Sequence, residues 1–521
     1  MTDLNKAGTS RALLACIALG FGVSGPVAAA PSNGLCEARV NDTAVRLTAC
    51  IQQQPLWRHL VAFQKIADQN PGTLGHGNRN TGTPGYRASV DYVAALMRRA
   101  GYRVTIQPYR WTRFSVTGVP VFGTATQNYT ISRDWFVARL SGSGTVTARV
   151  QPVGSDGAGG SGSGCSAGDF VGFIRGHIAL VERGSCAFDT QVANAEAAGA
   201  AAVVIANSEG TPDEAGRQER LDGGAFQARL VDSASIPVVG VISHAVGADL
   251  TRQYDGGHAP EVHLDIRARQ RSDIDYNVIA DSPFGDADHV IVVDAHLDSI
   301  YGAGMLDNAS GSATILEIAL KMARTRTHNR LRYIWFGGEE LGLLGSHHYT
   351  RTLTAKALHR IVFDIDVDVT ATPNFAILVA DPANAGNVNR FPPNVVPDSR
   401  VGNKDFAEYF HSVGIESRNA GFGNDGTDSN SFSLAGIPNS GILTQQDCCK
   451  KHWEVQLWGG FLGNFEGNVP GFNGGCVDQP HRWCDNLSNN DRFVLEFVTK
   501  AVASVTFELA NDASLGQTEL E

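Results

Sequence analysis

Four polar clusters in this chain carry groups able to hold a metal ion or move a proton. The first, His296-Leu297-Asp298, closes the apolar run HVIVVDA. Imidazole is the commonest neutral metal ligand, and a nearby carboxylate can hold its second ring nitrogen in one tautomer. Asp307 follows eleven residues later in Asp307-Asn308-Ala309-Ser310-Gly311, ahead of an apolar helical stretch. Asp, Asn and Ser also cap helices, and Ser310 is expected to do so here. Glu339-Glu340 comes directly after YIWFGG. Two adjacent carboxylates at the end of a buried strand repel each other unless a cation or a proton compensates. His481 lies in QPHRWCDNLSNND, bracketed by Cys476 and Cys484. Between the third and fourth clusters, Asp364, Asp366 and Asp368 alternate in FDIDVDV, which puts all three on one face of a strand.

Each cluster alone has a bland alternative: a surface His beside an Asp, a helix cap, a solvated turn, a closed loop. Together they supply two His and at least three carboxylates. Mixed nitrogen and oxygen ligands suit zinc or its first-row neighbours, whereas calcium or magnesium favours oxygen alone. The set is large enough for two ions sharing one bridging carboxylate, with a Glu left over as a general base.

The elements that must position these groups alternate strand and helix from about Tyr276 onward. NVIAD and HVIVVDAHL read as strands, SGSATILEIALKMAR as a helix starting near Ser310, and RLRYIWFGG as another strand. A helix through LGLLGSHHYTRTL and strands IVFDIDVDV and AILVAD follow. Such alternation builds a doubly wound sheet flanked by helices, whose reactive groups gather at the carboxyl ends of the strands. Upstream, Leu56, Leu60, Phe63 and Ile66 recur at helical spacing, SVDYVAALMRRAGY repeats the pattern, and RVTIQPYRW alternates like a strand. Near residue 136 the style changes. A Gly/Ser run at 154–164 precedes the strands HIALVER, AAVVIAN, SIPVVGVIS and VHLDIRARQ around the helix QVANAEAAGA. Residues 136–270 therefore read as a strand-rich α+β insertion into a catalytic domain split between 31–135 and 271–521. The tail after about Ser504 carries no signal.

The net charge of −11, with no long run of either sign, argues against a nucleic-acid partner. Residues 1–30 place Lys6 and Arg11 before an apolar stretch ending in Ala28-Ala29-Ala30, which reads as a secretory signal peptide. No other segment is suited to enter a membrane, so a secreted or periplasmic monomer is expected. Eight cysteines remain beyond Cys16, an even number that favours disulfides in an oxidising compartment. Spacing pairs Cys36 with Cys50, Cys165 with Cys186 and Cys476 with Cys484, and leaves Cys448 and Cys449 open.

HLDSIYGAGMLDNASGSA, FGGEELGLLGSHHY and PHRWCDN resemble the signature stretches of the co-catalytic zinc aminopeptidases related to aminopeptidase Y and the secreted bacterial leucyl aminopeptidases. TPGYRASVDYVAALMRRAGYRVT is similar to the segment ahead of their catalytic sheet, and GHIALVERGSCAF with AAGAAAVVIANSEG to their inserted protease-associated domain. The resemblance implies a zinc exopeptidase-like fold and removal of the N-terminal residue from peptides or proteins by a two-zinc enzyme. It implies that His296, Asp307 and Asp368 bind one zinc, and that Asp307, Glu340 and His481 bind the other. Glu339 is then the general base and Asp298 the partner of His296. Alignment through Thr372-Pro373-Asn374 chooses Asp368 over Asp366 and Asp364.

Departures from that pattern are Asp366 where relatives carry Asn, and Pro480 where some carry an oxyanion-assisting Tyr. Asp428 matches an acidic position and is expected to support the ligands from behind. Three alternatives stand beside this reading: a zinc carboxypeptidase, a single-zinc cyclase, and a non-catalytic binding ectodomain. The first requires a cation for a terminal carboxylate, and no Arg cluster lies beside the motifs.

Overall fold

The computed structural model describes residues 36, 39–72, 76–154, 162–184, 186–208, 224–300, 302–385, 388–421, 426–446, 449–466 and 484–516. The expected signal peptide, Cys448, Cys476, Pro480 and His481 lie outside the described residues.

The strands along the chain are β1 (Arg103–Val116), β2 (Val121–Thr124), β3 (Gly144–Pro152), β4 (Ile178–Glu182), β5 (Ala202–Ala206), β6 (Val238–Ile242) and β7 (Glu261–Ile266). They continue as β8 (Ala268–Asp281), β9 (Asp286–His296), β10 (Asn329–Phe336), β11 (Ile361–Val367), β12 (Leu378–Ala380), β13 (Arg418–Ala420) and β14 (Asn439–Leu443). The larger sheet has the order β1-β8-β10-β9-β11-β14-β12-β13. Its centre, β10-β9-β11-β14, is parallel, and β8 joins β10 antiparallel. This is the mixed α/β sheet expected from the strand–helix alternation.

Period-two alternation explains how the sheet is covered on both faces. Ile291, Val293 and Ala295 of β9 enter one core with Phe363, Ile365 and Val367 of β11. There they meet helices Gln53–Gln69, Pro84–Arg99, Ala309–Met322 and Arg492–Asn511. Val290 and Val292 face the other way, toward Phe336, Tyr349 and Phe432. Asp294, Asp364 and Asp366 share that second face by the same alternation.

β1 and β8 form a long antiparallel ribbon, in register from Arg103↔Asp281 to Val116↔Ala268. It leads to the smaller sheet, β2-β7-β3-β4-β5-β6, whose strands all come from between Val121 and Ile266. Its two faces carry separate apolar cores, one around Trp135 and Val204, the other around Phe170 and Val203.

Three local expectations need correction. Asn308, not Ser310, caps the helix Ala309–Met322: its Oδ1 accepts from the Gly311 amide at 2.8 Å. Ser310 is already inside the first turn, and its hydroxyl donates to Leu306 O at 2.6 Å. VHLDIRARQ is not one strand, because the chain passes from β7 to β8 at Arg267. The chain from Ser504 to Asn511 is the end of helix Arg492–Asn511, where Val505, Leu509 and Ala510 are buried.

Disulfides join Cys36 to Cys50 and Cys165 to Cys186, as spacing predicts. Cys449 and Cys484 each take part in a disulfide as well. Among the described residues, no helix is long and apolar enough to cross a membrane.

Candidate metal centre

β9 ends at His296, flanked by β10 and β11, so three strand ends deliver their next residues to one rim. After β10, Gly337 and Gly338 turn the chain tightly. A side chain on Gly337 would strike the Tyr86 hydroxyl, and Gly338 takes φ 71°, which disfavours any other residue. The turn presents Glu339 and Glu340 from a single 3-10 turn, Glu339–Leu341. After β11 the backbone continues to Asp368, whose amide donates to Ile442 O at 3.2 Å.

Asn308 ties two of these ends together. Its Oδ1 accepts from Val369 N at 3.1 Å as well as from Gly311 N, and its Nδ2 donates to Val367 O at 2.9 Å. The residues on either side, Asp307 and Asp368, are thereby held near each other.

The outcome is a compact group. His296 Nε2 lies 2.9 Å from Asp307 Oδ1, 3.4 Å from Asp368 Oδ1 and 4.0 Å from Glu339 Oε2. Ligand-capable atoms of His296, Asp307 and Asp368 lie within 4.8 Å of one another, as do those of His296, Glu339 and Glu340. His296 Nδ1 is 3.1 Å from the Asp298 carbonyl oxygen and 3.5 Å from its carboxylate. A proton on Nδ1 leaves the Nε2 lone pair facing the acids. Asp298 is itself fixed, accepting from Thr81 Oγ1 at 2.7 Å and from Glu339 N at 3.3 Å.

Burial and mutual repulsion disfavour this many charged carboxylates in one group unless a cation or protons compensate. Burial, then the charges of Asp307 and Glu339, push the Glu340 carboxyl well above its ordinary range. Burial also raises Glu339, against a lowering pull from His296. His296 Nε2, Asp368 Oδ1 and Glu340 Oε1 are buried without a hydrogen-bond partner. Buried polar atoms normally have partners. One imidazole and several carboxylates pointing at a common space fit zinc by donor type and number.

Of the residues expected at this site, His296, Asp298, Asp307, Glu339, Glu340 and Asp368 come together; His481 lies outside the described residues. Asp366 does not point at His296: its Oδ2 accepts from Thr427 Oγ1 at 2.8 Å and Ser429 N at 2.9 Å. Asp294 on β9 is its register partner. Asp294 and Asp364 are fully buried, with both oxygens of each carboxylate lacking a hydrogen-bond partner. Burial first, then neighbouring Asp charges, raises both, as it raises Asp428.

Sequence reasoning missed two buttresses. Arg79 is fully buried and donates to the carbonyls of Leu297, Ala303 and Gly304 at 2.6–2.8 Å, clamping the loop between His296 and Asp307. Asp485 accepts from Leu306 N and Asp307 N, and burial raises its carboxyl to about 7. Asp485 follows Cys484 in PHRWCDN, which offered a signal; Arg79 sits in a Gly- and Asn-rich loop that offered none. A third unforeseen residue is Arg229 of the smaller domain, whose Nη2 lies 3.4 Å from Glu340 Oε2. A guanidinium therefore does stand beside the motifs, delivered from far away in sequence.

Comparison with known proteins shows the family to which the chain is related. The profile of Peptidase family M28 matches residues 277–505, and that of the PA domain matches residues 146–250. An aminopeptidase of Pseudomonas aeruginosa is 32% identical over 489 residues, spanning 91% of this chain and 84% of the relative. Among solved structures, an aminopeptidase from Aneurinibacillus sp. strain AM-1 superposes with a TM-score of 0.68 at 21% identity, covering 90% of this chain and 96% of that one. A zinc aminopeptidase from Bacillus subtilis gives a TM-score of 0.57 at 22% identity, covering 89% and 96%.

Proposed function

The chain belongs to peptidase family M28 and is a zinc-dependent aminopeptidase; we propose that it is exported, holds a pair of zinc ions and uses Glu339 as its general base. The observation that carries the proposal is the gathering of His296, Asp307, Asp368, Glu339 and Glu340 atoms within 4.8 Å in two overlapping groups that share His296. In this reading His296, Asp307 and Asp368 hold one ion, while Asp307, Glu340 and His481 hold the other. Zinc held by these residues would supply Lewis acidity toward the scissile carbonyl and would make a water molecule easier to deprotonate.

The chain's own residues supply the remaining steps. Glu339 takes a proton from water and passes it to the leaving nitrogen. Asp298 keeps His296 in one orientation through contacts at 3.1 and 3.5 Å. Carboxylates around the site attract the free α-ammonium of the substrate, which favours an exopeptidase over an endopeptidase. The split catalytic domain with an insertion, expected at 136–270 although its sheet begins earlier, at β2, and removal of residues 1–30 on export belong to the same proposal. Disulfides at Cys36–Cys50 and Cys165–Cys186 support an oxidising compartment.

Hydrolysis of a panel of aminoacyl-anilides, with and without chelator, tests the function. Activity is expected to disappear with chelator and to return with zinc. Chelator-resistant activity would remove the metal from the mechanism, and a stoichiometry of one zinc per chain would favour cyclase-like chemistry.

A further inference from the structure

The insertion reaches the metal centre through Arg229, and the backbone that carries it is firmly held. Arg229 pairs with Arg139 in a β-bridge between buried Ala228 and Leu230. Arg139 N donates to Ala228 O at 2.9 Å, and its guanidinium donates to Leu230 O at 3.0 Å. Alternation buries the neighbours in the insertion's core and sends the Arg229 side chain outward, to within 3.4 Å of Glu340. That side chain is 40% exposed, so part of the guanidinium faces solvent beside the ligands. Arg139 stands behind it and adds a second positive charge; its own guanidinium is lowered to about 10 by burial and by Arg229.

The site is therefore polarised. Asp307, Glu339, Glu340 and Asp368 form the acidic side, and the insertion contributes the basic side. An aminopeptidase substrate brings an ammonium on the residue that is removed. A guanidinium next to that ammonium repels it, whereas a carboxylate on the leaving residue is attracted to a guanidinium. Reach fits the same assignment. The Glu340 ligand atom is within 4.8 Å of those of His296 and Glu339, and Arg229 adds 3.4 Å beyond Glu340. The carboxyl carbon of a C-terminal leaving residue lies only about 2.5 Å from the cleaved nitrogen, while each further residue adds about 3.8 Å.

We propose that Arg229 is a specificity residue that binds a carboxylate on the leaving residue, so the enzyme favours dipeptides with a free C-terminus. This role rests on the aminopeptidase reading above. An acidic side chain on the leaving residue offers the same chemistry from a second source.

Steady-state kinetics of the zinc-loaded enzyme on Leu-Ala, Leu-Ala-amide and Leu-Asp-amide test the role in wild type, Arg229→Gln and Arg229→Lys. Wild type is expected to prefer Leu-Ala over Leu-Ala-amide by about ten-fold, carried in KM, as a partly exposed charge-assisted contact provides. In Arg229→Gln the ratio falls to about one, and Arg229→Lys recovers part of it. Leu-Asp-amide behaving like Leu-Ala assigns recognition to any carboxylate on that residue, and behaving like Leu-Ala-amide restricts it to the chain terminus. A wild type with no preference overturns the role whether or not the Gln variant folds, and so does a Gln variant that keeps the wild-type ratio. A wild type that cleaves none of the three removes the aminopeptidase reading itself, and this role with it.

Discussion

Asp364 illustrates what burial does to a carboxylate that has no partner. Neither oxygen finds a hydrogen bond, and burial, then Asp366 and Asp428, raises its carboxyl well above 3.8. The folded state thus keeps a proton that the unfolded state releases, so stability falls as pH rises above the unfolded value toward the folded one. Asp364→Asn removes that linkage. The variant should melt higher than wild type at pH 8, roughly 2–4 °C for each kcal/mol recovered, and its Tm should vary less between pH 5 and 8. Thermal unfolding across that range checks both; a lower Tm at pH 8 would mean that the carboxylate is compensated. The sequence showed three alternating Asp residues, but only the packing separates them. Asp368 lies beyond the strand end and faces His296, Asp366 is held by Thr427 and Ser429, and Asp364 is enclosed within the sheet.

At the scale of elements, the turns that follow β9, β10 and β11 matter more than the strands themselves. Asn308 caps a helix through Gly311 N at 2.8 Å and links its start to the end of β11 through two further hydrogen bonds of 2.9 and 3.1 Å. Asn308→Ala should cost about 2 kcal/mol of stability through the lost cap and the unpaired Val367 and Val369 groups. It should also weaken zinc binding by roughly 10–100-fold, as loss of a ligand's supporting contact does. Chemical denaturation and competition with a zinc chelator measure the two effects, and wild-type zinc affinity would contradict the coupling. The central strands were legible because Val, Ile and Leu runs ending in polar residues point to buried parallel strands. The cap was misplaced by two residues because Asp, Asn and Ser occur together and composition cannot rank them. The final helix was not anticipated at all, although Val498, Val505 and Leu509 lie on its buried face. Arg79 was invisible for a different reason: its partners are backbone carbonyls more than two hundred residues away.

Across the whole molecule, the candidate centre draws on segments from almost the entire described chain. Arg79 and Thr81 come from before the insertion, Arg229 from within it, and Asp485 from near the end. His296, Asp307, Glu339 and Glu340 stood out by type and spacing, whereas Asp368 was chosen over Asp364 and Asp366 only through the family resemblance. The domain-crossing contact could not, because nothing near Arg229 in sequence differs from an ordinary surface loop. The account as a whole depends on these distant groups acting as one metal site served by one base. Zinc content and turnover measured on the same preparation of Glu339→Gln test it most directly. The account predicts wild-type zinc content with kcat on a leucyl-anilide reduced by about 10²–10⁴-fold. Turnover close to wild type would contradict it.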